Sequence, residues 1–139
     1  MITMKKITYF LLFILFCLSV KAQYNDGIVI RSLLKTDTTS IGQPIVYPDF
    51  KDDEVTISKI TIPPGKETGW HKHTFPVFAV VLKGTLTVQM KDKTVQFSEN
   101  SAFAEVLNTI HNGINLGTED VVLIAFYMGQ KDKPLSVHE

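Results

Sequence analysis

The sequence predicts a single all-β domain, arranged as a sandwich or barrel. Short runs of β-branched and aromatic residues recur along the chain and alternate with turn signals, which is the pattern of such folds. Helical periodicity is hard to find over the same length. A chain of 139 residues with 45% hydrophobic and 20% charged residues has the composition of one globular domain.

The N-terminus has the features of a secretory signal peptide. Lys5 and Lys6 precede the apolar run Tyr9–Leu18, and Ala22 then offers a small residue at which cleavage is expected. The run is short for a bilayer, which takes about 20 apolar residues to cross, although an uncleaved membrane anchor remains the alternative. We therefore expect residues 1–22 to be removed and the protein to be exported, periplasmic or secreted.

Removal of residues 1–22 changes the charge and the cysteine content. The remaining residues carry 11 basic against 14 acidic side chains, a net charge of −3, and Cys17 leaves with the signal peptide. This charge gives no electrostatic reason to expect nucleic-acid or membrane binding. Without cysteine, disulfides and thiolate ligands are excluded, so the fold must depend on core packing.

The expected strands begin in the region 23–54. Ile28–Leu34 is predicted as the opening strand, and a short extended piece follows at Ile45–Tyr47. In the next strand, Val55–Ile62, the apolar residues change face part-way along. This change indicates either a bulge near Ser58 or a strand whose covered face changes.

The region 55–130 is expected to form the body of the domain, followed by a polar tail at 131–139. Val77–Leu82 is apolar at every position, which predicts burial on both faces. Because Val121–Met128 has the same pattern, one face of these strands could serve a homodimer. In all we expect eight to ten strands, the others being Thr85–Met90, Thr94–Phe97 and Ala102–Val106.

Three histidines are candidates for a metal site. His71 and His73 are two residues apart, so in an extended strand they point to the same side, about 7 Å apart along the chain. His111 lies two predicted hairpins later, and antiparallel folds commonly bring such strands together. Neutral imidazole is the commonest protein ligand of divalent transition metals. The residues alone leave open whether these are metal ligands or core histidines, and His138, in the polar tail, is expected to be solvated.

The same histidines lie in two stretches that resemble the motifs of the cupin family. From Gly65 to Gly84 the spacing is that of the first cupin motif, and His111 with Asn115 is similar to the end of the second. The stretches GWHKH and EVLNTIHNG resemble those of small single-domain cupins. The resemblance covers nearly all of residues 23–139. It implies a double-stranded β-helix, or jelly-roll barrel, whose histidines point inward and commonly hold a metal.

The sequence departs from both motifs. The first usually has a glutamate where this chain has Val77, and the second usually has glycine, proline and glycine where this chain has Asn100, Val106 and Asn108. Asparagine tolerates a left-handed backbone better than most residues. Glu105 could supply the missing carboxylate if Phe103 and Glu105 face the inside of the barrel. If Ala104 and Val106 face the inside instead, Glu105 is a solvated charge.

The site prediction combines these residues. We expect one divalent transition metal, Zn, Cu, Fe, Ni or Mn, because nitrogen ligands suit all five. Three neutral imidazoles do not compensate its charge, so a small anionic or chelating ligand is expected unless the carboxylate binds. The candidate metal ligands are His71, His73, His111 and Glu105, and the candidate substrate-binding residues are Gln89 and Trp70.

Two functions follow from this prediction. The first is a metal-dependent enzyme of the oxygenase or isomerase type, acting on a small oxygenated or anionic molecule. The alternative is a non-catalytic module that binds a metal or a small ligand, and a metal-free structural barrel is a third interpretation. No nucleophile–base pair is evident and cysteine is absent after cleavage, which argues against hydrolysis by a serine mechanism.

Overall fold

The computed structural model describes residues 27–138, so the predicted signal peptide lies outside the described residues. The chain divides into two units, and every strand of the described part lies in the second, Ser32–Glu139. Residues 27–138 contain strands and turns and no helix, which confirms the all-β prediction. Consequently, this range offers no helical segment of the length and apolarity that a membrane span requires.

Nine strands form two sheets. The four-stranded sheet has the order β1-β8-β3-β6 and the five-stranded sheet the order β5-β4-β7-β2-β9. All pairings between these strands are antiparallel. The strands are β1 Asp53–Ile62, β2 His71–Lys72, β3 Val77–Lys83, β4 Thr85–Met90, β5 Thr94–Ser98, β6 Ala102–Ala104, β7 His111–Ile114, β8 Val121–Gln130 and β9 Val137–His138.

One apolar core is built from the inward faces of both sheets. Phe103 on β6 stacks on Phe97 of β5, with ring centroids 3.7 Å apart, and so connects the edges of the two sheets. Strands β3, β4 and β8 contribute alternate residues, as a strand with one covered face must. The buried cluster consists of Ile62, Phe75, Val77, Ala79, Val81, Leu86, Val88, Phe103, Val121, Leu123 and Ala125.

The first long strand differs from the prediction. β1 pairs with β8 in unbroken register, from Asp53 opposite Gln130 to Ile62 opposite Val121, so the predicted bulge is absent. The covered face does not change either, because the even-numbered residues stay on the less exposed side throughout. The apolar residues that suggested a change, Val55 and Ile57, simply point outward and are 54% and 61% exposed.

Two further strand predictions were wrong. Ile28–Leu34 forms no strand, and its apolar side chains are exposed, so β-propensity there is not matched by a partner strand or a covering layer. Ile45–Tyr47 likewise contains no strand. Val77–Leu82 is a strand, but only one of its faces is buried, and Leu82 on it is 44% exposed. The second face is the outer surface of a two-layer structure.

The turns explain two of the departures from the motifs. Asn100 and Asn108, which replace glycines, adopt φ angles of 66° and 51°. These values lie in the left-handed region that asparagine tolerates, as the sequence predicted. A glycine is retained at Gly84, where φ is 76° and an added Cβ would lie 2.9 Å from Asp120 O. The fold therefore keeps the backbone geometry of these turns with altered side chains.

Candidate metal centre

Strand β2, which carries His71, is held against β7 by the loop that precedes it, and His73 follows directly after the strand. Thr68 N donates to Gly113 O at 2.8 Å, and Gly113 N donates to the Thr68 hydroxyl at 2.9 Å. These bonds fix the register in which His71 lies directly opposite His111. Two histidines that are distant in sequence thus become cross-strand neighbours, with ring centroids 4.4 Å apart.

Each of the three histidine rings is oriented by a backbone carbonyl. A carbonyl oxygen only accepts hydrogen bonds, so Nδ1 must carry the proton and Nε2 is left free to bind a cation. The pairs are His71 with Gly69 O at 2.7 Å, His73 with Leu135 O at 2.7 Å and His111 with Thr109 O at 2.8 Å. One donor atom from each ring lies within 4.8 Å of the others, and the three residues are only 8%, 5% and 2% exposed.

Glu105 lies beside this cluster. Its Oε2 is 2.8 Å from Nε2 of His111 and 3.9 Å from Nε2 of His73. Its backbone N donates to the carbonyl of Val77 at 2.8 Å, so the carboxylate comes from the strand next to the position that holds glutamate in the cupin motif. The structure thus places Glu105 inward, although the group of atoms within 4.8 Å of one another contains the three histidines only.

Two buried atoms of this site depend on a single contact. Glu105 Oε2 and His111 Nε2 lie 2.8 Å apart, and neither atom has another partner among the described residues. A buried polar atom without a partner costs about 1–3 kcal/mol, so such atoms are rare unless a site needs them.

The electrostatics of the four groups follow from burial and from this contact. Burial lowers the pKa of His71 and of His73, so both stay neutral. Burial also disfavours a charge on Glu105 and on His111, but the attraction between these two groups outweighs it. The pKa of Glu105 therefore lies below its usual value and the pKa of His111 above its usual value. Without metal, the pair therefore favours a proton on His111 and a negative charge on Glu105.

These residues fit a divalent transition metal. Neutral imidazole nitrogens with one carboxylate oxygen are ligands that such metals bind in proteins. A cation in their midst would also give Glu105 Oε2 and His111 Nε2, which otherwise have only each other, a further partner. The three histidines are therefore a group able to hold a metal ion, with Glu105 next to it.

A cavity of about 330 Å³ adjoins the cluster. Its walls are mainly apolar side chains of β1, β3, β4 and β8, with few polar groups. A space of this size and lining suits a small molecule whose polar end meets the histidines. The lining residues outside the four-residue cluster are Ile60, Ile62, Thr68, Val77, Leu86, Val88, Gly113, Leu123, Ala125, Tyr127, Ser136 and His138.

The sequence prediction missed four polar residues of the cavity, which are Thr68, Tyr127, Ser136 and His138. Tyr127 lies on β8, where it shares the cavity face with Ala125, and its ring is 5.6 Å from that of His73. Burial raises its pKa, so its hydroxyl stays protonated. The two-residue period of β8 could have revealed Tyr127, whereas the polar segment that carries Ser136 and His138 gave no strand signal.

The two predicted substrate-binding residues do not line this cavity. Gln89 neighbours Val88 on β4, and since Val88 faces the cavity, Gln89 faces the other side. Trp70 precedes His71 and is 43% exposed. Alternation along β4 thus turns Gln89 away from the histidines, whereas Trp70 lies outside the strands and outside the cavity lining. The substrate-binding role of both residues stays a prediction.

The family assignment rests on a match to the Cupin domain family over residues 58–127, half of the 139-residue chain. The matched range contains the three histidines and Glu105. This chain is a cupin. No protein of the curated set matches it in sequence.

Two solved structures with TM-scores of 0.54 and 0.50 agree with this cupin fold, and a third shows a further similarity. A cupin-like protein from Thermotoga maritima is 19% identical with a TM-score of 0.54, over 61% of this chain and 64% of that one, less than two thirds of its length. An uncharacterized conserved protein with a double-stranded β-helix domain from Klebsiella pneumoniae is 16% identical with a TM-score of 0.50, over 84% and 90%. A cupin domain from Bordetella pertussis is 25% identical over 56% and 84%, with a TM-score of 0.47.

Metal binding to this cupin is expected to release the proton that His111 holds, because Nε2 must be free of hydrogen to bind a metal. Affinity for zinc should therefore rise as the pH rises through the pKa of His111. In Glu105→Gln the neutral amide no longer raises that pKa, so fewer protons are released near neutral pH. Calorimetric titration with Zn²⁺ in buffers of different ionisation enthalpy counts these protons. The exposed Glu119→Gln is the control, and equal proton counts in wild type and Glu105→Gln would contradict the role given to Glu105.

Proposed function

We propose that this cupin binds one divalent transition metal through His71, His73 and His111, with Glu105 as a fourth ligand or charge partner. The observation that carries the proposal is the orientation of the rings. All three Nδ1 atoms bind backbone carbonyls, which leaves three Nε2 atoms for one buried centre. Without a metal, Glu105 Oε2 and His111 Nε2 have only each other as partners among the described residues, at 2.8 Å.

The activity that we propose is that of a metal-dependent enzyme of the oxygenase or isomerase type. A metal held there would act as a Lewis acid, or as a redox centre, on oxygen functions of a bound molecule. The apolar cavity walls exclude water from that molecule, and Tyr127 offers it a protonated hydroxyl. Glu105 compensates one of the two positive charges of the metal. A substrate with one negative charge, or a chelating substrate, would compensate the other.

Export of the protein is also proposed. Its support is the sequence of residues 1–22, where a basic start, an apolar run and a small residue follow one another as in secretory signals. The enzyme would then acquire its metal outside the cytoplasm. N-terminal sequencing of the protein recovered from the culture medium or the periplasm tests this, and an intact N-terminus would contradict it.

The test of the metal and of the enzyme begins with metal content by mass spectrometry. Protein made without a polyhistidine tag is measured as purified and after incubation with Zn, Cu, Fe, Ni and Mn salts, and one equivalent per chain is expected. Loaded and metal-free protein are then incubated with small hydroxy acids and keto acids, with and without O₂, and followed by NMR. Turnover that requires metal supports the enzyme, binding without turnover supports the non-catalytic module, and no metal contradicts both.

A further inference from the structure

A fourth histidine stands in the same row as two of the candidate metal ligands. His111, His71 and His138 are successive cross-strand partners on β7, β2 and β9. Residues directly opposite one another in antiparallel strands have their side chains on the same face of the sheet. Because His71 faces the cavity, His138 faces it too, and both line it.

The segment that carries His138 is tied to the metal centre. The Leu135 carbonyl accepts the hydrogen bond from His73 Nδ1 at 2.7 Å, which fixes the segment at one end. Ser136 Oγ then lies 3.1 Å from His138 Nε2, so these two side chains form a hydrogen-bonded pair. The pair is exposed and thus lies at the open edge of the cavity, with the His138 ring 5.5 Å from that of His71.

His138 is outside the group of metal ligands. The donor atoms that lie within 4.8 Å of one another belong to the other three histidines. β9 is the edge strand of its sheet, one strand spacing, about 4.8 Å, beyond β2. His138 therefore lies toward the open side of the site, where a ligand bound at the centre would extend.

Few other polar groups are available to such a ligand. Outside the four-residue metal cluster, the polar side chains of the cavity are those of Thr68, Tyr127, Ser136 and His138, and no lysine, arginine or further carboxylate is among its described lining. The remaining wall is apolar. A second polar function on the ligand that reaches the edge strand thus meets the Ser136–His138 pair.

We propose that the ligand of this site is bifunctional, with one oxygen function at the three-histidine centre and a second, a carboxylate or hydroxyl, bound by His138 and Ser136. The inference rests on the proposed metal site, because it places the first oxygen there. The spacing of one strand between the two places fits oxygen functions separated by about two or three carbon atoms. The Ser136–His138 pair is thus a specificity determinant, since it selects the second oxygen function of the ligand and not the one at the three-histidine centre.

The test compares butanoate with succinate, which has the same four carbons and one more carboxylate. The full-length protein is loaded with Co²⁺, whose visible spectrum reports ligand binding at the metal, and each acid is titrated. Succinate is expected to bind about tenfold more tightly than butanoate to the wild type, because it gains charge-assisted hydrogen bonds from the pair. In His138→Ala the two acids should bind alike, with cobalt content unchanged.

Two further variants separate recognition from structure. Val137→Ala alters the opposite face of the same strand and should keep the preference for succinate, whereas His138→Gln keeps a donor and should retain part of it. Equal binding of the two acids by cobalt-loaded wild type, or an unchanged preference in His138→Ala, overturns the inference and leaves the metal site standing. Failure of the wild type to take up cobalt overturns the proposed function and with it the inference.

Discussion

Replacing His71 and His111 together by alanine is expected to lower the affinity for metal by more than about a hundredfold, beyond what the loss of a residue that only supports a ligand costs. The two rings are neighbours across β2 and β7, and both Nε2 atoms are directed to the same buried centre. With them gone, His73 and Glu105 are too few to retain the metal through purification. Metal per chain, measured by mass spectrometry, checks the result.

The matched control is His138→Ala, which removes a histidine from the same cross-strand row but not from the metal-binding group. It should retain one equivalent of metal. Circular dichroism must show that the double variant is still folded, so that loss of metal is not loss of the domain. Stoichiometric metal in a folded double variant would mean that the metal is held elsewhere.

Replacing Asn115 by alanine is expected to lower the free energy of unfolding by about 3 kcal/mol, since three hydrogen bonds of its side chain are lost at about 1 kcal/mol each. Asn115 is fully buried, and its Nδ2 donates to the carbonyls of Ile62 and Glu119, both at 2.7 Å. Its Oδ1 accepts from Gly117 N at 2.9 Å. This one side chain therefore joins the end of β1 to the turn between β7 and β8.

Urea unfolding of metal-free wild type and Asn115→Ala measures the difference in their free energies of unfolding. Glu119→Ala is the control, because Asn115 contacts only the Glu119 backbone, and the Glu119 side chain makes an exposed ion pair with Lys83 at 3.1 Å. Such exposed pairs contribute little. A loss of stability in Asn115→Ala no larger than that of the control would show that water replaces the amide at no cost.

The sequence predicted the long central strands and the histidine cluster for a definite reason. Alternation with a period of two, as in Thr85–Met90, identifies a strand and shows which residues share a face. Likewise His71 and His73 had to point to one side, and the cupin resemblance supplied the partner His111. In the structure the three histidines lie together with Glu105 beside them. The sequence alone had not shown whether Glu105 points inward or outward.

The two-residue period of a strand does not show which of its faces is covered by the rest of the protein. Val55 and Ile57 are apolar yet point outward, and Gln89 is polar yet turned away from the cavity. His138 is exposed, as the sequence predicted, but its place beside the cavity was not predicted, because the two-residue strand β9 is too short to show any period. It pairs with β2 through backbone contacts that depend on the assembled sheet. The prediction that residues 1–22 are a signal peptide stays a prediction.

The three imidazole rings are not oriented by equally stable parts of the fold. Two of them, His71 and His111, are oriented by carbonyls only two positions earlier in their own chain segment, whereas the carbonyl that orients His73 lies 62 positions away. Edge strands open more readily than central ones, and such openings occur without global unfolding. Fraying of the segment around Leu135 would loosen one imidazole while the other two stay in place. We therefore expect the residence time of a bound metal to depend on the local opening of this edge, and not on the lifetime of the whole domain.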